Sequence, residues 1–317
     1  MPVPEELFER VATAPAVAQG LPLVILLTGF TDAGSTVSSL IDHLREHSEP
    51  QPLAVFDNDV LLDYRARRPI VQFDHDHLSS YTPARLELSL SHDTFGQQFL
   101  LLTGYEPDFA WNGFTRAVLG LAAEFGVSTV TWVHAIAMPV PHTRPLGATV
   151  SGNRSELIAA HSVWKPRTQV PATVGHLLEY RFAEAEVPIA GFVLLVPHYL
   201  AETSYPDAVL AAADRLMTAT GRVLDMDSVR AESAEYLARV EAQVQGNDEL
   251  LQMLHTLEER HDSYMAGYNS ADPAHGFGDA PFSERNLPSA DELAAELERY
   301  LASRPPGDDE DKSHRLS

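Results

Sequence analysis

Short apolar runs recur along the chain, and polar or turn-forming residues separate them. Most have the length of a strand and no alternation of apolar with polar positions, which is typical of strands buried on both faces. They predict strands at Leu23–Leu27, Pro52–Phe56, Phe99–Thr103, Ser128–Ala137 and Ile189–Val196, with a further short strand at Ile70–Phe73.

Between these runs lie segments whose apolar residues are spaced three and four positions apart, as on one face of a helix. After the first strand, Val37, Leu40, Ile41 and Leu44 form such a face. Further helices are predicted at Asp108–Phe125, Thr173–Ala185 and from Ser204 or Asp207 to Thr220, with a short lead-in helix at Glu5–Val11. Strands that alternate with helices predict a three-layer α/β/α fold with a mostly parallel sheet.

One segment follows a different pattern. Leu86, Leu88 and Leu90 alternate with Glu87 and Ser89, a period of two that indicates a half-exposed strand. We therefore expect an antiparallel portion at one edge of the sheet.

The C-terminal third changes in character. Two amphipathic segments, Ser228–Val244 and Asn247–Asp262, predict a helical hairpin. Beyond Tyr264 the periodicity is lost, and Gly, Pro, Asp and Ser dominate until a capping box at Ser289. We predict an α/β domain over 1–225, a helical appendage over 226–264, and an acidic, largely disordered tail over 265–317 with a short helix at about 289–303.

Composition narrows the function classes. The 317 residues carry a net charge of −23, which would repel nucleic acids and anionic membranes, so neither is an expected partner. Cysteine is absent, which excludes a thiol nucleophile, thiolate metal ligands and disulfides. We see neither a secretory signal nor an apolar stretch long enough to span a membrane, and expect a cytoplasmic protein.

The turn after the first strand is the first candidate for chemistry. Asp32 stands where its carboxylate could accept hydrogen bonds from the first amides of the next helix, and Gly29 and Gly34 permit a close backbone approach. Such a helix start can bind an anion, although a well-capped structural turn has the same pattern. The sequence matches none of GxGxxG, GxxxxGK[ST] and GxSxG.

Four polar turns each follow the carboxyl end of a predicted strand. If those strands are parallel, the turns meet at one edge of the sheet, where open α/β folds hold their ligand crevice. The turns are Thr28–Gly34, Gly104–Asp108, Met138–Pro145 and Pro197–Tyr205.

These turns would bring together Asp32, Glu106, His142, Arg144 and His198. The arginine could clamp an anion, and the imidazoles could transfer protons near neutral pH. The candidate catalytic residues are Asp32, His142 and His198, and the candidate ligand-binding residues are Gly29, Asp32, Gly34, Glu106, His142 and Arg144. Carboxylates and arginines at strand ends also commonly pair with each other, so a purely structural role stays open.

We expect no metal site and no cofactor. The run Asp74-His75-Asp76-His77 offers two imidazoles, too few for a closed metal site, and we predict a solvated loop there.

Several short motifs, taken in order, resemble the proteasome assembly chaperone 2 family, in its actinobacterial branch of uncharacterised members. The motifs are Gly29-Phe30-x-Asp32-Ala33-Gly34, Asp63-Tyr64-Arg65-x-Arg67-Arg68-Pro69, Glu106-Pro107-Asp108 with Trp111 and Phe114, Val140-Pro141-His142-Thr143-Arg144-Pro145 and Val196-Pro197-His198-Tyr199. The resemblance covers roughly Leu21 to Asp262. It implies a phosphorylase/hydrolase-like three-layer fold with a helical C-terminal appendage.

The resemblance also implies a homo-oligomer that binds protein clients, with proteasome subunits as one candidate. The chain ends in His314-Arg315-Leu316-Ser317 rather than the hydrophobic-Tyr-x tail of some relatives, so we do not expect that docking mode. A non-catalytic assembly factor is the first hypothesis. The alternatives are a hydrolase-like or carboxylate–amine ligase-like enzyme, or a sensor, acting on a small anionic ligand at the carboxyl ends of the strands.

Overall fold

The computed structural model describes residues 7–165 and 167–270. It contains ten strands among these residues. They are β1 (Phe8–Arg10), β2 (Pro22–Thr28), β3 (Gln51–Phe56), β4 (Ile70–Asp74), β5 (His77–Thr82), β6 (Glu87–His92), β7 (Gln98–Tyr105), β8 (Thr129–Met138), β9 (Ala148–Gly152) and β10 (Ile189–Pro197).

Eight α-helices connect or follow these strands in the described part of the chain. They are α1 (Thr36–His47), α2 (Asn58–Leu61), α3 (Trp111–Glu124), α4 (Ser155–His161), α5 (Val174–Glu184), α6 (Pro206–Thr220), α7 (Asp227–Gln245) and α8 (Asp248–Ser270). None of the helices among the described residues is both long and apolar enough to span a membrane.

Eight strands form one mixed sheet in the order β1-β3-β6-β7-β2-β8-β10-β9, and β4 and β5 form a separate two-stranded sheet. The central strands β7, β2, β8 and β10 run parallel to one another. On one side β6, β3 and β1 continue the sheet in antiparallel fashion, and on the other side β9 is antiparallel to β10. The predicted α/β fold with a mostly parallel sheet and an antiparallel portion is confirmed.

The prediction that Leu86–Leu90 forms a half-exposed strand is wrong. This segment contributes to β6, which lies between β3 and β7, and Glu87, Ser89 and Ser91 are buried along with the leucines. A strand inside a sheet that is covered on both faces buries its polar positions too, so a period of two does not establish exposure.

Helices cover both faces of the sheet and create two apolar clusters. On one face, α1 and α6 pack Val37, Leu40 and Val209 against β2, β8 and β10. On the other face, Phe114 of α3 and Leu178 of α5 belong to a second cluster that includes side chains of β2, β6, β7, β8 and β10. Each fully buried side chain of this size contributes about 1.5–3 kcal/mol to folding, so the two clusters fix the order of the layers.

The helical hairpin formed by α7 and α8 belongs to the first of these clusters. Val240 and Val244 of α7 and Leu254 of α8 are buried there. The last helix reaches Ser270, past its predicted end near Asp262, and so includes the first residues of the segment predicted to be disordered. The rest of that segment and the predicted helix at 289–303 lie outside the described residues.

The lead-in helix predicted at Glu5–Val11 is also wrong where the structure describes it. Phe8 belongs to β1, which pairs with β3 so that Phe8 lies opposite Phe56. Their ring centroids are 5.7 Å apart. Addition of this strand to the sheet brings the two aromatic rings together, a long-range contact that overrides the weak local preference for a helix.

Candidate functional site

The four polar turns do lie along one edge of the sheet. Since β7, β2, β8 and β10 are parallel, the residues that follow them leave the sheet from the same side. We call this side the carboxyl edge. The connection from β3 to β6, residues 57–86, starts and ends there as well, because β3 runs parallel to β7 and β6 runs against it.

Asp32 caps helix α1 from outside the helix. Its carboxylate accepts hydrogen bonds from the amides of Val37 at 2.7 Å and Ser38 at 2.9 Å, and from the Ser38 hydroxyl at 2.7 Å. These amides belong to the first turn of α1 and have no partner inside the helix. The carboxylate of Asp32 therefore occupies the positive end of α1, where an external anion would otherwise bind.

Gly34 is required by a close approach of two turns. Its amide donates to the Ala201 carbonyl at 2.7 Å, and its carbonyl accepts from the Tyr205 amide at 2.9 Å. Its φ is +69°, and a Cβ here would lie 3.0 Å from the Cβ of Tyr205. Both the backbone angle and the contact favour glycine, and they join the turn after β2 to the turn after β10.

Gly29 and Glu106 form a second junction. The Glu106 carboxylate accepts from the amides of Phe30, at 3.3 Å, and of Val174, the first residue of α5. Glu106 is 7% exposed, and a Cβ on Gly29 would overlap the Glu106 side chain. Glu106 thus ties the ends of β7 and β2 to the start of α5, with both of its oxygens engaged.

His134 lies in the same junction and was missed by the sequence analysis. Its Nε2 is 3.1 Å from the Thr31 hydroxyl, and burial lowers its pKa to about 4 despite the nearby Asp32 carboxylate. The side chain therefore stays neutral at physiological pH. The feature of the sequence that could have indicated this residue is a single histidine within the apolar strand Ser128–Ala137.

A cavity of about 20 Å³ lies among these groups and is lined by Gly29, Glu106, Trp132, His134 and Thr173. That volume holds about one water molecule. The junction is therefore packed rather than open to a substrate.

His142 lies in the turn after β8, against Tyr199 from the turn after β10. The Tyr199 oxygen accepts from the His142 amide at 2.8 Å and lies 2.7 Å from Nδ1. We assign the single hydroxyl hydrogen to the bond with Nδ1, so the neutral ring carries its own hydrogen on Nε2. This Nε2 is buried and has no hydrogen-bond partner among the described residues, and burial lowers the pKa of His142.

Arg144 is engaged by helix α8. Its guanidinium donates to the two carboxylate oxygens of Asp262 at 2.9 and 2.7 Å and to Glu258 at 3.2 Å. The Thr143 hydroxyl also donates to Glu258. Arg144 thus holds α8 against the turn after β8, and its hydrogen bonds to Asp262, together with its charge, lower the pKa of that carboxyl.

The candidate residues divide into two groups. Gly29, Asp32 and Glu106 lie around the junction with His134, whereas His142 contacts Tyr199 and Arg144 binds α8. His198 is exposed, with its ring edge-on to Tyr199 at 5.4 Å, next to the second group. The contacts described above connect residues within each group.

The run Asp74-His75-Asp76-His77 forms the tight turn between β4 and β5. His75 and His77 each lie within hydrogen-bond distance of the aspartate that precedes them, at 2.6 and 3.0 Å. Throughout the described ranges, no group of three or more His, Cys, Asp or Glu residues is arranged to hold a metal ion.

The carboxyl edge is distinguished by exposed apolar side chains. Of the eleven large ones exposed in the described part of the chain, seven lie in connections that leave this edge. These are Phe30, Ile70, Val71, Phe73, Leu78, Tyr81 and Phe109. Scattered exposed apolar residues are ordinary, but their concentration on one side marks an interaction surface.

Solved structures of similar proteins support this view of the fold. A Mycobacterium tuberculosis protein of unknown function is 35% identical over 82% of this chain and 92% of its own, with a TM-score of 0.76. A Corynebacterium glutamicum protein of unknown function is 30% identical over 83% of this chain and 99% of its own, with a TM-score of 0.79. A Mycobacterium tuberculosis proteasome-assembly chaperone homologue shares the fold at 19% identity, over 74% of this chain and 100% of its own, with a TM-score of 0.67.

The comparison with curated proteins gave no match. The model of the PAC2 family matches residues 26–244, which include the four turns of the carboxyl edge and most of α7. The chain belongs to the PAC2 family.

Proposed function

We propose that this chain is a protein-interaction or assembly factor that acts as a homo-oligomer, with proteasome subunits as its candidate client. The observation that carries the proposal is the concentration of exposed apolar side chains at the carboxyl edge. Phe30 and Phe109 stand beside the ends of β2 and β7, the central strands, so a client that lies across this edge would cover both.

The packing of the junction favours binding over catalysis. The carboxylates of Asp32 and Glu106 are both used by backbone amides, and the cavity beside them has room for about one water. A substrate would have to displace these internal bonds before it could reach the candidate groups. A protein client needs only the exposed surface.

The choice of client rests on family membership. One structural neighbour is described as a proteasome-assembly chaperone homologue, and the motifs of the carboxyl edge are those that resemble this family. We carry the client class over as a proposal for this chain.

The test is affinity purification of the tagged full chain from its own host, analysed by mass spectrometry at low and moderate salt. We expect proteasome α-subunits in stoichiometric amounts at moderate salt, and their loss in a Phe30→Ser/Phe109→Ser variant. The low-salt sample shows the basic proteins that a charge of −23 collects nonspecifically. Phe95→Ser, which changes a side chain that is 72% exposed in the turn after β6, is the matched control.

Absence of α-subunits at both salt concentrations would contradict the proposed client. Equal loss of α-subunits in the control would contradict the proposed surface. Circular dichroism of each variant verifies that a loss does not reflect unfolding.

A sensor or enzyme for a small anionic ligand is the second candidate, and one observation favours it. The Nε2 hydrogen of His142 is buried and has no acceptor in the part of the chain that the structure describes, which is costly unless a ligand or a water supplies one. A thermal-shift screen of small carboxylates and phosphates should then raise the Tm of wild type but not of His142→Phe. Identical Tm values with and without every compound would contradict this candidate.

A further inference from the structure

A stacked pair of histidines near the end of α1 lines two cavities. The rings of His43 and His47 are nearly parallel, with centroids 4.2 Å apart. One cavity, of about 150 Å³, includes His92 at the end of β6 and so lies at the edge of the sheet opposite the carboxyl edge. The other, of about 250 Å³, lies between α1, α6 and α7. Both cavities have the two rings in their walls.

The hydrogen bonds of the pair decide which nitrogen of each ring carries the hydrogen. His43 Nε2 lies 2.6 Å from the Asp225 carbonyl oxygen, and His47 Nδ1 lies 2.9 Å from the His43 carbonyl oxygen. A carbonyl oxygen only accepts, so these two nitrogens are the donors. In the neutral rings, Nδ1 of His43 and Nε2 of His47 are therefore acceptors.

These two acceptor nitrogens have no donor among the described residues. His43 is only 9% exposed, so its Nδ1 has little access to bulk water. A buried acceptor without a donor lowers the free energy of unfolding unless a water or a ligand supplies the hydrogen bond. The histidine pair thus favours a ligand that donates hydrogen bonds.

The charged groups around the pair are also acceptors. Glu46 and Glu232 line the larger cavity and have no ion pair in the described part of the chain, and Asp225 lines the smaller cavity. Asp42, in the larger cavity, lies 3.6 Å from Arg45. Among the described residues, neither cavity has a lysine or an arginine in its wall. The site therefore favours a ligand with positive charge.

The end of helix α1 strengthens this preference, whereas one nearby carboxylate does not contribute to it. Helix α1 ends at His47, so the negative end of its dipole lies beside the pair. Asp93 also lines the smaller cavity, but its carboxylate accepts from the amides of Phe95, Gln97 and Val223. We therefore leave Asp93 out of the binding group.

Apolar side chains in both walls distinguish an organic cation from an inorganic one. Leu44 and Leu224 line the smaller cavity, and Val209 and Val229 line the larger one. Methylene groups are stabilised by contact with such side chains, whereas a hydrated metal ion is not. The described ranges also hold no group of His, Asp and Glu residues arranged for a metal ion.

We propose that the His43–His47 pair and the carboxylates around it bind a small organic cation of the diamine or polyamine class. The ammonium groups of the ligand donate to the two acceptor nitrogens and to the unpaired carboxylates. Its methylene chain lies against the apolar walls. This site uses none of the residues assigned to client binding, so either proposal can fail without the other.

The test is isothermal titration calorimetry of the full chain with spermidine, at about pH 8 and about 0.15 M salt, where imidazoles are ordinarily neutral and weak surface attraction is screened. We expect saturable binding to wild type. Binding to Glu46→Gln/Glu232→Gln should be about tenfold weaker. The matched control Glu235→Gln/Glu259→Gln removes the same charge from exposed positions outside both cavities and should bind as wild type does.

Two results would overturn the proposal. Equal affinities of the two double variants would mean that spermidine responds only to the overall charge of −23. Titration with magnesium chloride in place of spermidine should give no saturable binding. Magnesium binding that Glu46→Gln/Glu232→Gln weakens to the same extent would mean that the site takes an inorganic cation.

A further variant tests the ring nitrogens. His47→Phe keeps an aromatic ring beside His43 but removes the acceptor, so we expect several-fold weaker spermidine binding with an unchanged Tm in the absence of ligand. His77→Phe, beside the exposed turn between β4 and β5, is the control and should keep the wild-type affinity. Wild-type affinity in His47→Phe would overturn the role given to the histidine pair.

Discussion

At the scale of single residues, the carboxyl edge is built from polar groups that satisfy backbone amides. Asp32 bonds to the first turn of α1, and Glu106 bonds to Phe30 and to the first residue of α5. Two such hydrogen bonds stabilise a carboxylate in its place. Loss of either partner would leave a polar group without a hydrogen bond, which lowers the free energy of unfolding. These residues therefore hold the turns in register.

The neutral state of His134 makes stability depend on pH. Its pKa is about 4 in the folded chain, against about 6.5 when exposed. Below pH 6.5 the unfolded chain binds a proton that the folded chain does not, so the free energy of unfolding falls as the pH is lowered toward 4. Across this pH range, His134 lowers the free energy of unfolding by roughly 3 kcal/mol.

We therefore expect urea titrations of wild type at pH values from 7 to 4 to show a steady loss of stability. The slope should be smaller for His134→Gln, which keeps a neutral polar group at that position. His77→Gln, beside the exposed turn between β4 and β5, should retain the wild-type slope. Equal slopes for wild type and His134→Gln would contradict this account.

At the scale of elements, helix α8 is held to the sheet domain by apolar contacts, by ion pairs and by a hydrogen bond from the Tyr264 hydroxyl to the Val163 carbonyl. Leu254 and Leu257 bury apolar side chains, whereas Glu258 and Asp262 bind Arg144. The apolar contacts lie in the first half of the helix. The ion pairs are partly exposed, so they weaken as salt concentration rises.

Removal of the guanidinium in Arg144→Ala should loosen the C-terminal half of α8. We expect amide hydrogen exchange in residues 258–267 to become a few-fold faster, while residues 250–257 keep their wild-type rates. Half-molar salt should reproduce the effect in wild type. Arg230→Ala, which removes an ion pair within α7, is the control and should leave α8 unchanged.

Acceleration along the whole of α8 in Arg144→Ala would mean that the apolar contacts do not hold the first half independently. Unchanged exchange would mean that the ion pairs contribute nothing to the closure of the helix.

At the scale of the whole molecule, the two ends of the parallel strands have different characters. The carboxyl edge carries the hairpin of β4 and β5, Phe30 and Phe109, whereas the opposite edge presents Phe95 and Val223. On a chain with a charge of −23, exposed apolar surface on one side gives the molecule a preferred direction of contact. Client binding would use that side.

The sequence by itself determined the layers of the fold and the edge where its polar turns meet. Both follow from periodicity, because buried strands and one-sided helices leave local signatures that a single chain displays. The ordered motifs also indicated the family. Asp32 was correctly expected to bond to the first turn of α1 for the same local reason.

Only the tertiary structure decided which side chains meet across long sequence distances. Arg144 lies 118 residues from Asp262, and no local pattern indicates that they bind each other. The interior position of β6 and the pairing of β1 depend on neighbouring strands in the same way. The hairpin of β4 and β5 is the clearest case, because a one-residue bulge moves Leu78 to the face of Val71, Phe73 and Tyr81, and the pattern of apolar residues cannot reveal that shift.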